Sequence, residues 1–315
     1  MNLRDLKYFV TLADERHFGR AAERAYCSQP TLSGQIRKLE REIGVTLFER
    51  TPRAVLLTTQ GAVLLPLARR AVEQADAMVQ LARSGRDPLA GDLRIGVIPT
   101  VGPYLLPAVL GDLKRRFPQM QVALLEDLTQ HLLQRLDRNE IDCVLIATSE
   151  AAENRVMRPI ADDPFLLALP SDHPMLRQEQ IRQEQLEELP LLLLDEGHCL
   201  ADQTLSACHR RRNDLLGVAD VRAASLDTLV QLVAAGLGVT LVPTLAQRSV
   251  LAAGGIVLRP VSGTNSSRRI TLVWRKSFPR PAAIEAFASV ILSRLPAGLR
   301  PLGDVHGAEA AILQA

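Results

Sequence analysis

The residues with the most reactive chemistry are four cysteines, Cys27, Cys143, Cys199 and Cys208. In a reducing compartment permanent disulfides do not persist, so each is a core residue, a metal ligand or a reactive thiol. Cys199 lies in Asp195-Glu196-Gly197-His198-Cys199-Leu200, where the apolar run 191–194 gives way to a helix. Backbone N–H groups at such a helix start, together with His198, lower a thiol pKa and favour the nucleophilic thiolate. Cys208 precedes His209-Arg210-Arg211-Arg212, whose positive field does the same for that thiol, so spacing does not rank the two. A metal reading is open because His198, Cys199, Cys208 and His209 are all potential zinc ligands. Against it, adjacent residues rarely aim both side chains at one ion, and the spacing matches no familiar zinc pattern. Two unrelated buried cysteines are the third reading. Cys143, inside Ile141-Asp142-Cys143-Val144-Leu145-Ile146, reads as an inert strand cysteine, and Cys27 as a partly packed turn residue.

The elements that carry these residues follow from periodicity. Strand-like runs at 93–98, 122–125, 141–146, 166–169, 191–194 and 239–242 alternate with helical stretches, the pattern of open α/β sheets. They fall into two batches divided near Phe165, and a late strand at 270–274 and a helix at 281–295 complete a two-lobed body. The chain past Pro296 reads as a loose tail, with 302–315 outside the folded body. Ligands of open α/β sheets bind beyond the carboxyl ends of the strands. That singles out Thr100 and Thr129, just past two strand runs, whose hydroxyls either face the crevice or cap the following helices.

The N-terminal 58 residues follow a different pattern. Leu3, Leu6, Phe9, Val10 and Leu12 predict a helix, and Ala21, Ala22 and Ala25 a second, closely packed one. Tyr26-Cys27-Ser28 reads as a turn, with Ser28 the N-cap of a third helix and Pro30 in its first turn. Leu32, Ile36 and Leu39 share one face of that helix. Gln29, Pro30, Thr31, Ser33, Gly34, Arg37, Lys38 and Arg41 make the rest of it small, polar and basic. Such a helix either stands as an ordinary solvated face or enters a DNA major groove. Strands at 45–48 and 54–57 around Arg50-Thr51-Pro52-Arg53 form a hairpin, which extends the helix-turn-helix into a winged one with Arg50 and Arg53 toward phosphates or a minor groove. Thr58 caps the next helix. Along it Leu64, Ala68, Ala71, Ala75, Met78 and Ala82 alternate in steps of four and three, which reads as a coiled-coil seam roughly 40 Å long, the alternative being a helix packed on its own domain. Arg83-Ser84-Gly85-Arg86-Asp87-Pro88 is the hinge.

The chain has 315 residues and a net charge of +2, which suits two or three domains that each bury a core. Residues 1–60 hold ten Lys and Arg against seven Asp and Glu, a basic excess at the N-terminus that suggests an anionic partner for that domain. No signal peptide is expected, since Arg4, Asp5 and Lys7 interrupt the start, and no apolar run approaches the roughly 18 residues of a bilayer span. A cytoplasmic protein without a membrane segment, cofactor or metal is expected.

The runs Phe18-Gly19-Arg20-Ala21-Ala22-Glu23-Arg24-Ala25, Ser28-Gln29-Pro30-Thr31-Leu32-Ser33, Lys38-Leu39-Glu40 and Leu47-Phe48-Glu49-Arg50 closely resemble the LysR-type transcription regulators, and the likeness extends over nearly the whole chain. Within that family, Asp195 to Gln203 followed by Cys208 resembles the peroxide-sensing members. The resemblance implies an α/β fold with an N-terminal winged helix-turn-helix (1–58), a dimerising linker helix and hinge (59–90) and a periplasmic-binding-protein-like effector domain (91–301). It divides the effector domain into a first lobe, 91–164 with 266–301, and a second, 165–265. It implies a regulator and not an enzyme, a homodimer through the linker and a homotetramer, operator DNA as partner, and contact with RNA polymerase. It also implies hydrogen peroxide as the signal, with Cys199 peroxidatic and Cys208 resolving. Thr100, Thr129, His198 and a cation at Arg268 or Arg269, with Arg268 preferred, would form the pocket. If the intervening residues are helical, the two cysteine Cα atoms stand roughly 13 Å apart, beyond the ~7 Å that a disulfide spans, so oxidation must unwind the segment. Two rivals are a regulator that binds a small organic acid in the cleft and a thiol peroxidase.

Overall fold

Asn2 opens the first helix by a reciprocal cap: its Oδ1 accepts from Asp5 N–H at 3.0 Å while Asp5 Oδ2 accepts from Asn2 N–H at 2.9 Å. The computed structural model describes residues 1–50, 55–84, 87–149, 151–210 and 222–302, which form two compact units, Met1–Arg83 and Ser84–Ala315. In the first unit, α1 (Leu3–Glu15), α2 (Phe18–Arg24) and α3 (Gln29–Ile43) pack Phe9, Leu12, Ala21, Leu32, Ile36 and Leu39 into one core. A two-stranded hairpin, β1 (Phe48–Arg50) and β2 (Val55–Leu57), joins it through Phe48, which meets Phe9 edge-on at 5.6 Å. The first strand starts later than the apolar pattern predicts. Residues 45–47 lie outside the strand: the Val45 N–H bonds back to the Glu40 carbonyl at 3.2 Å and the Leu47 N–H to Glu40 Oε1 at 2.9 Å, so neither is offered to a partner strand. The hairpin tip, with Arg53, and the side chain of Arg50 lie outside the described residues.

Thr58 Oγ1 accepts from Gly61 N–H at 2.9 Å and starts α4 (Thr59–Ser84), a helix of 26 residues and about 39 Å. The expected seam divides. Leu64 and Ala68 pack against the core of their own unit, and Arg69–Asp14 and Lys7–Asp76 ion pairs tie α4 to α1. Further on, Met78, Val79 and Leu81 are exposed. Leu64 and Ala68 at the start of the seam therefore make intrachain contacts, and long charged side chains reach between α4 and α1.

In the second unit, β3 (Gly91–Val97) pairs in parallel with β4 (Met120–Glu126) and β5 (Cys143–Ile146), with α5 (Gly102–Arg116) and α6 (Thr129–Asp137) as the connections. β12 (Ser267–Arg275) runs antiparallel to β5 and to β6 (Arg155–Pro170). The run at 166–169 is thus no separate strand. It is the second half of β6, which changes partners from β12 to β10 (Thr240–Pro243) and β11 (Ile256–Ser262), and β11 in turn pairs with β7 (Ile181–Arg182). The run at 191–194 shortens to β8 (Leu193–Leu194), parallel to β9 (Arg222–Ala223), plus a bridge from Leu191 to Val239. Two hydrophobic cores result, one around Ile95, Val144 and Phe287 with α10 (Pro281–Ser293), the other around Phe165, Leu192 and Val230 with α8 (Leu226–Ala234) and α9 (Gln247–Ala253). Nor is the chain beyond Pro296 loose throughout: β13 (Arg300–Pro301) pairs with β6, and Leu299 is buried in the first core. Residues 303–315 lie outside the described residues. Among the described residues no helix is long and apolar enough to cross a membrane.

Candidate functional site

Thr100 follows β3, Thr129 is the first residue of α6, and α7 (Cys199–Ala207) begins at Cys199 with His198 as its N-cap. Parallel pairing of β3 and β4 brings the first two turns together, the start of α7 comes from the separate sheet of β8, and Thr100, Thr129, His198 and Cys199, with Ile98 and Leu128 as apolar wall, line a small cavity. Gly197 permits the approach: at φ +92° its missing Cβ would lie 2.8 Å from Leu128 Cδ1. About 10 Å³ is open to the centre of a water-sized molecule, room for one such molecule.

Neither threonine caps a helix. Thr100 Oγ1 accepts from Arg268 Nη1 at 2.7 Å and its carbonyl from Nη2 at 2.8 Å. Arg268 Nε donates to Asp163 Oδ2 at 3.0 Å, and Asp163 Oδ1 accepts from Leu245 N–H at 3.0 Å. Arg268 and Asp163 have fully buried side chains, whereas Arg269 faces outward and pairs with Asp162. Thr129 Oγ1 is buried without a completed hydrogen bond, yet it faces the Cys199 sulfur closely enough to favour the thiolate.

The electrostatics depart from the expectation that His198 activates a low-pKa thiol. Burial pushes the Cys199 thiol above its ordinary value, opposed by the Arg268 charge, the Thr129 hydroxyl and the N–H groups of Cys199 and Leu200. Burial also lowers the His198 pKa, so a neutral imidazole lines the site and the cation is Arg268. Asp163 escaped the sequence reading. Its signal was an acidic residue inside the apolar stretch of β6, which needs a buried cation opposite it.

α7 bridges the two cores. Cys199 packs against the first, while Leu200, Ala201 and Cys208 belong to the second. All four cysteines are free. Cys208 caps the far end of α7, so nine helical steps separate the two Cα atoms by about 13.5 Å. This spacing also prevents His198 and Cys199 from sharing one ion with Cys208 and His209. Cys143 is buried in β5 with its thiol pushed well up by burial, and Cys27 is half-buried.

On the first unit, Ser28 caps α3, accepting from Thr31 N–H at 3.3 Å. Gln29, Pro30, Thr31, Gly34, Arg37 and Lys38 are exposed and Ser33 half-buried. Gly34, Arg37 and Arg41 border a concave surface that continues to Thr46. Tyr26, almost wholly exposed with φ +51°, projects from the turn before α3, a placement the turn sequence alone did not reveal.

Residues 3–62 match the bacterial regulatory helix-turn-helix protein, lysR family, and residues 86–296 match the LysR substrate binding domain. The chain belongs to the LysR family. It is a regulator of that family rather than an enzyme. Its relatives include the DNA-binding transcriptional dual regulator OxyR of Escherichia coli, 42% identical over 94% of this chain and 96% of that one. The probable hydrogen peroxide-inducible genes activator of Mycobacterium leprae is 41% identical over 91% and 92%. Among solved structures, a cysteine-to-aspartate variant of full-length OxyR from Pseudomonas aeruginosa superposes with a TM-score of 0.72 at 42% identity, covering 92% of this chain and 94% of that one. An H2O2-bound cysteine mutant of Corynebacterium glutamicum OxyR gives 0.63 at 35% identity, covering 99% and 95%.

Proposed function

We propose that this LysR-family protein is a hydrogen-peroxide-sensing transcription regulator, with Cys199 the peroxidatic and Cys208 the resolving thiol. The observation that carries this reading is the cavity at Cys199, which has room for one water-sized molecule and an unpartnered Thr129 hydroxyl facing the sulfur. An organic acid does not fit there, which disfavours a carboxylate effector at this cavity. Peroxide bound between Thr100, Thr129 and His198 presents its O–O bond to the Cys199 thiolate. Attack forms a sulfur–oxygen bond, and the departing hydroxide takes a proton to leave as water. The Cys208 sulfur then displaces the sulfenic oxygen, which leaves as a second water, and the S–S bond closes. Arg268 holds positive charge beside the thiolate throughout. Because α7 keeps the thiols too far apart, closure unwinds the helix, and the rearranged second lobe changes how the regulator meets DNA.

In this reading residues 1–58 bind double-stranded operator DNA through Ser28, Gln29, Pro30, Thr31, Ser33, Arg37, Lys38, Arg50 and Arg53. Residues 59–90 pair two copies, supported by the exposure of Met78, Val79 and Leu81. Residues 91–301 form the sensor, with lobes at 91–164 with 266–301 and at 165–265. A homotetramer, contact with RNA polymerase and a cytoplasmic location complete the proposal.

The test is disulfide mapping of the reduced protein after brief, near-stoichiometric peroxide, with footprinting on its own upstream DNA. A Cys199–Cys208 bond with an altered footprint is expected, and Cys199→Ser should abolish both. Unchanged thiols, or a full response in Cys199→Ser, would overturn the redox reading.

A further inference from the structure

Cys208 is fully buried in the second core, and burial pushes its thiol up to about 12. A thiol so placed neither ionises at neutral pH nor reaches Cys199, so whatever holds it there governs the resolving step. The chain immediately beyond it is fastened at two side chains. Arg210 Nη1 donates to the Leu189 carbonyl at 2.9 Å, and the His209 imidazole Nε2 meets Gln183 Nε2 at 3.0 Å. Gln183 is itself clamped: it is 2% exposed, and a Cβ on Gly263 would lie 2.0 Å from its Oε1. His209 sits at φ +50°, a left-handed conformation that residues with a Cβ enter only at a steric cost. A side-chain bond to a fixed partner therefore accompanies an unfavourable backbone directly after the buried thiol.

We propose that the His209–Gln183 hydrogen bond is the latch that keeps Cys208 in its core, and that its opening gates disulfide formation. The inference rests on the reading of Cys199 and Cys208 as the redox pair. His209 is a positioning residue, acting through the backbone it anchors. With the latch closed, the last turn of α7 holds Cys208 among apolar neighbours. With it open, His209 relaxes out of the left-handed region, the turn loosens, and the Cys208 thiol reaches the Cys199 sulfenic acid. The S–S bond then forms as the sulfenic oxygen leaves with two protons as water.

Two variants of the full-length protein separate latch from scaffold. His209→Asn tolerates the left-handed backbone but is too short to reach Gln183; Gln183→Leu removes the partner and leaves His209 intact. Quenched-flow mass spectrometry with a sulfenic-acid trap reads Cys199 oxidation, and disulfide mapping reads resolution. Both variants should form the sulfenic acid at the wild-type rate and close the disulfide about fivefold faster, the loss of one hydrogen bond. Resolution at the wild-type rate in both, or slower Cys199 oxidation in either, would overturn the latch. A wild-type protein that forms no Cys199–Cys208 bond would overturn the redox pair and the latch with it.

Discussion

Arg268 grips Thr100 twice, Nη1 on the hydroxyl at 2.7 Å and Nη2 on the carbonyl at 2.8 Å, and so binds β12 to the turn after β3. Its third bond neutralises Asp163, whose other oxygen holds the N–H of Leu245, itself part of the first core. Charge and architecture are thus one feature. Arg268→Met should destabilise the protein by about 3–5 kcal/mol, because it leaves the Asp163 carboxylate buried and unpaired. Urea denaturation measures that loss. Restoring neutrality with Arg268→Met and Asp163→Asn together should recover part of the stability but not the rate of Cys199 oxidation.

Thr129 separates stability from sensing. Its buried hydroxyl lacks a completed hydrogen bond, so Thr129→Val, of equal shape, should leave stability unchanged or raise it by about 1 kcal/mol. Oxidation of Cys199 should nonetheless slow on the order of tenfold, because the hydroxyl that faces the sulfur, and that is proposed to hold peroxide there, is gone. Thermal denaturation beside stopped-flow oxidation checks both signs.

Cys199 and His198, both half-buried, set the pH response. Burial raises the Cys199 pKa, so the reactive thiolate is a minor form at neutral pH and oxidation should climb with pH, up to about tenfold per unit below that pKa. The His198 pKa is lowered from 6.5, so below that pH the unfolded chain binds more protons than the native one. Stability should therefore rise with pH up to about 6.5 and lose this dependence above it. His198→Gln should flatten the acid side of a plot of urea midpoint against pH.

Arg37 is exposed on α3, with Nε donating to the Ser33 carbonyl at 3.3 Å. Arg37→Ala should weaken operator binding. If the contact is to phosphate, affinity falls alike for all sequences and the slope of log affinity against log salt drops by about 0.9. Titration by fluorescence anisotropy at several salt concentrations gives that slope.

Much of the fold was legible because it is periodic. The face of Leu32, Ile36 and Leu39, the Ser28 cap and the alternation of β3, β4 and β5 with α5 and α6 depend on local spacing, and each appears where the pattern predicts. Errors arose where a distant partner decided the outcome. Residues 45–47 fail to become strand because Glu40 takes the N–H groups of Val45 and Leu47, and β6 runs through both cores because different strands pair with its two halves. The α4 seam likewise divides, since Leu64 and Ala68 find apolar partners in their own unit while Met78 stays exposed.

The sequence alone placed Cys199 near the start of a helix and, on the condition that the following residues are helical, put Cys208 too far away to bond; α7 meets that condition. Only the tertiary structure decided which arginine turns inward, that Asp163 neutralises it, that His198 is neutral, and that burial raises both thiols. The reason is physical: hydrogen-bonded spacing along a helix is set by neighbours in the chain, whereas burial and charge pairing are set by residues as far apart as Thr100 and Arg268, which meet only when the sheets close.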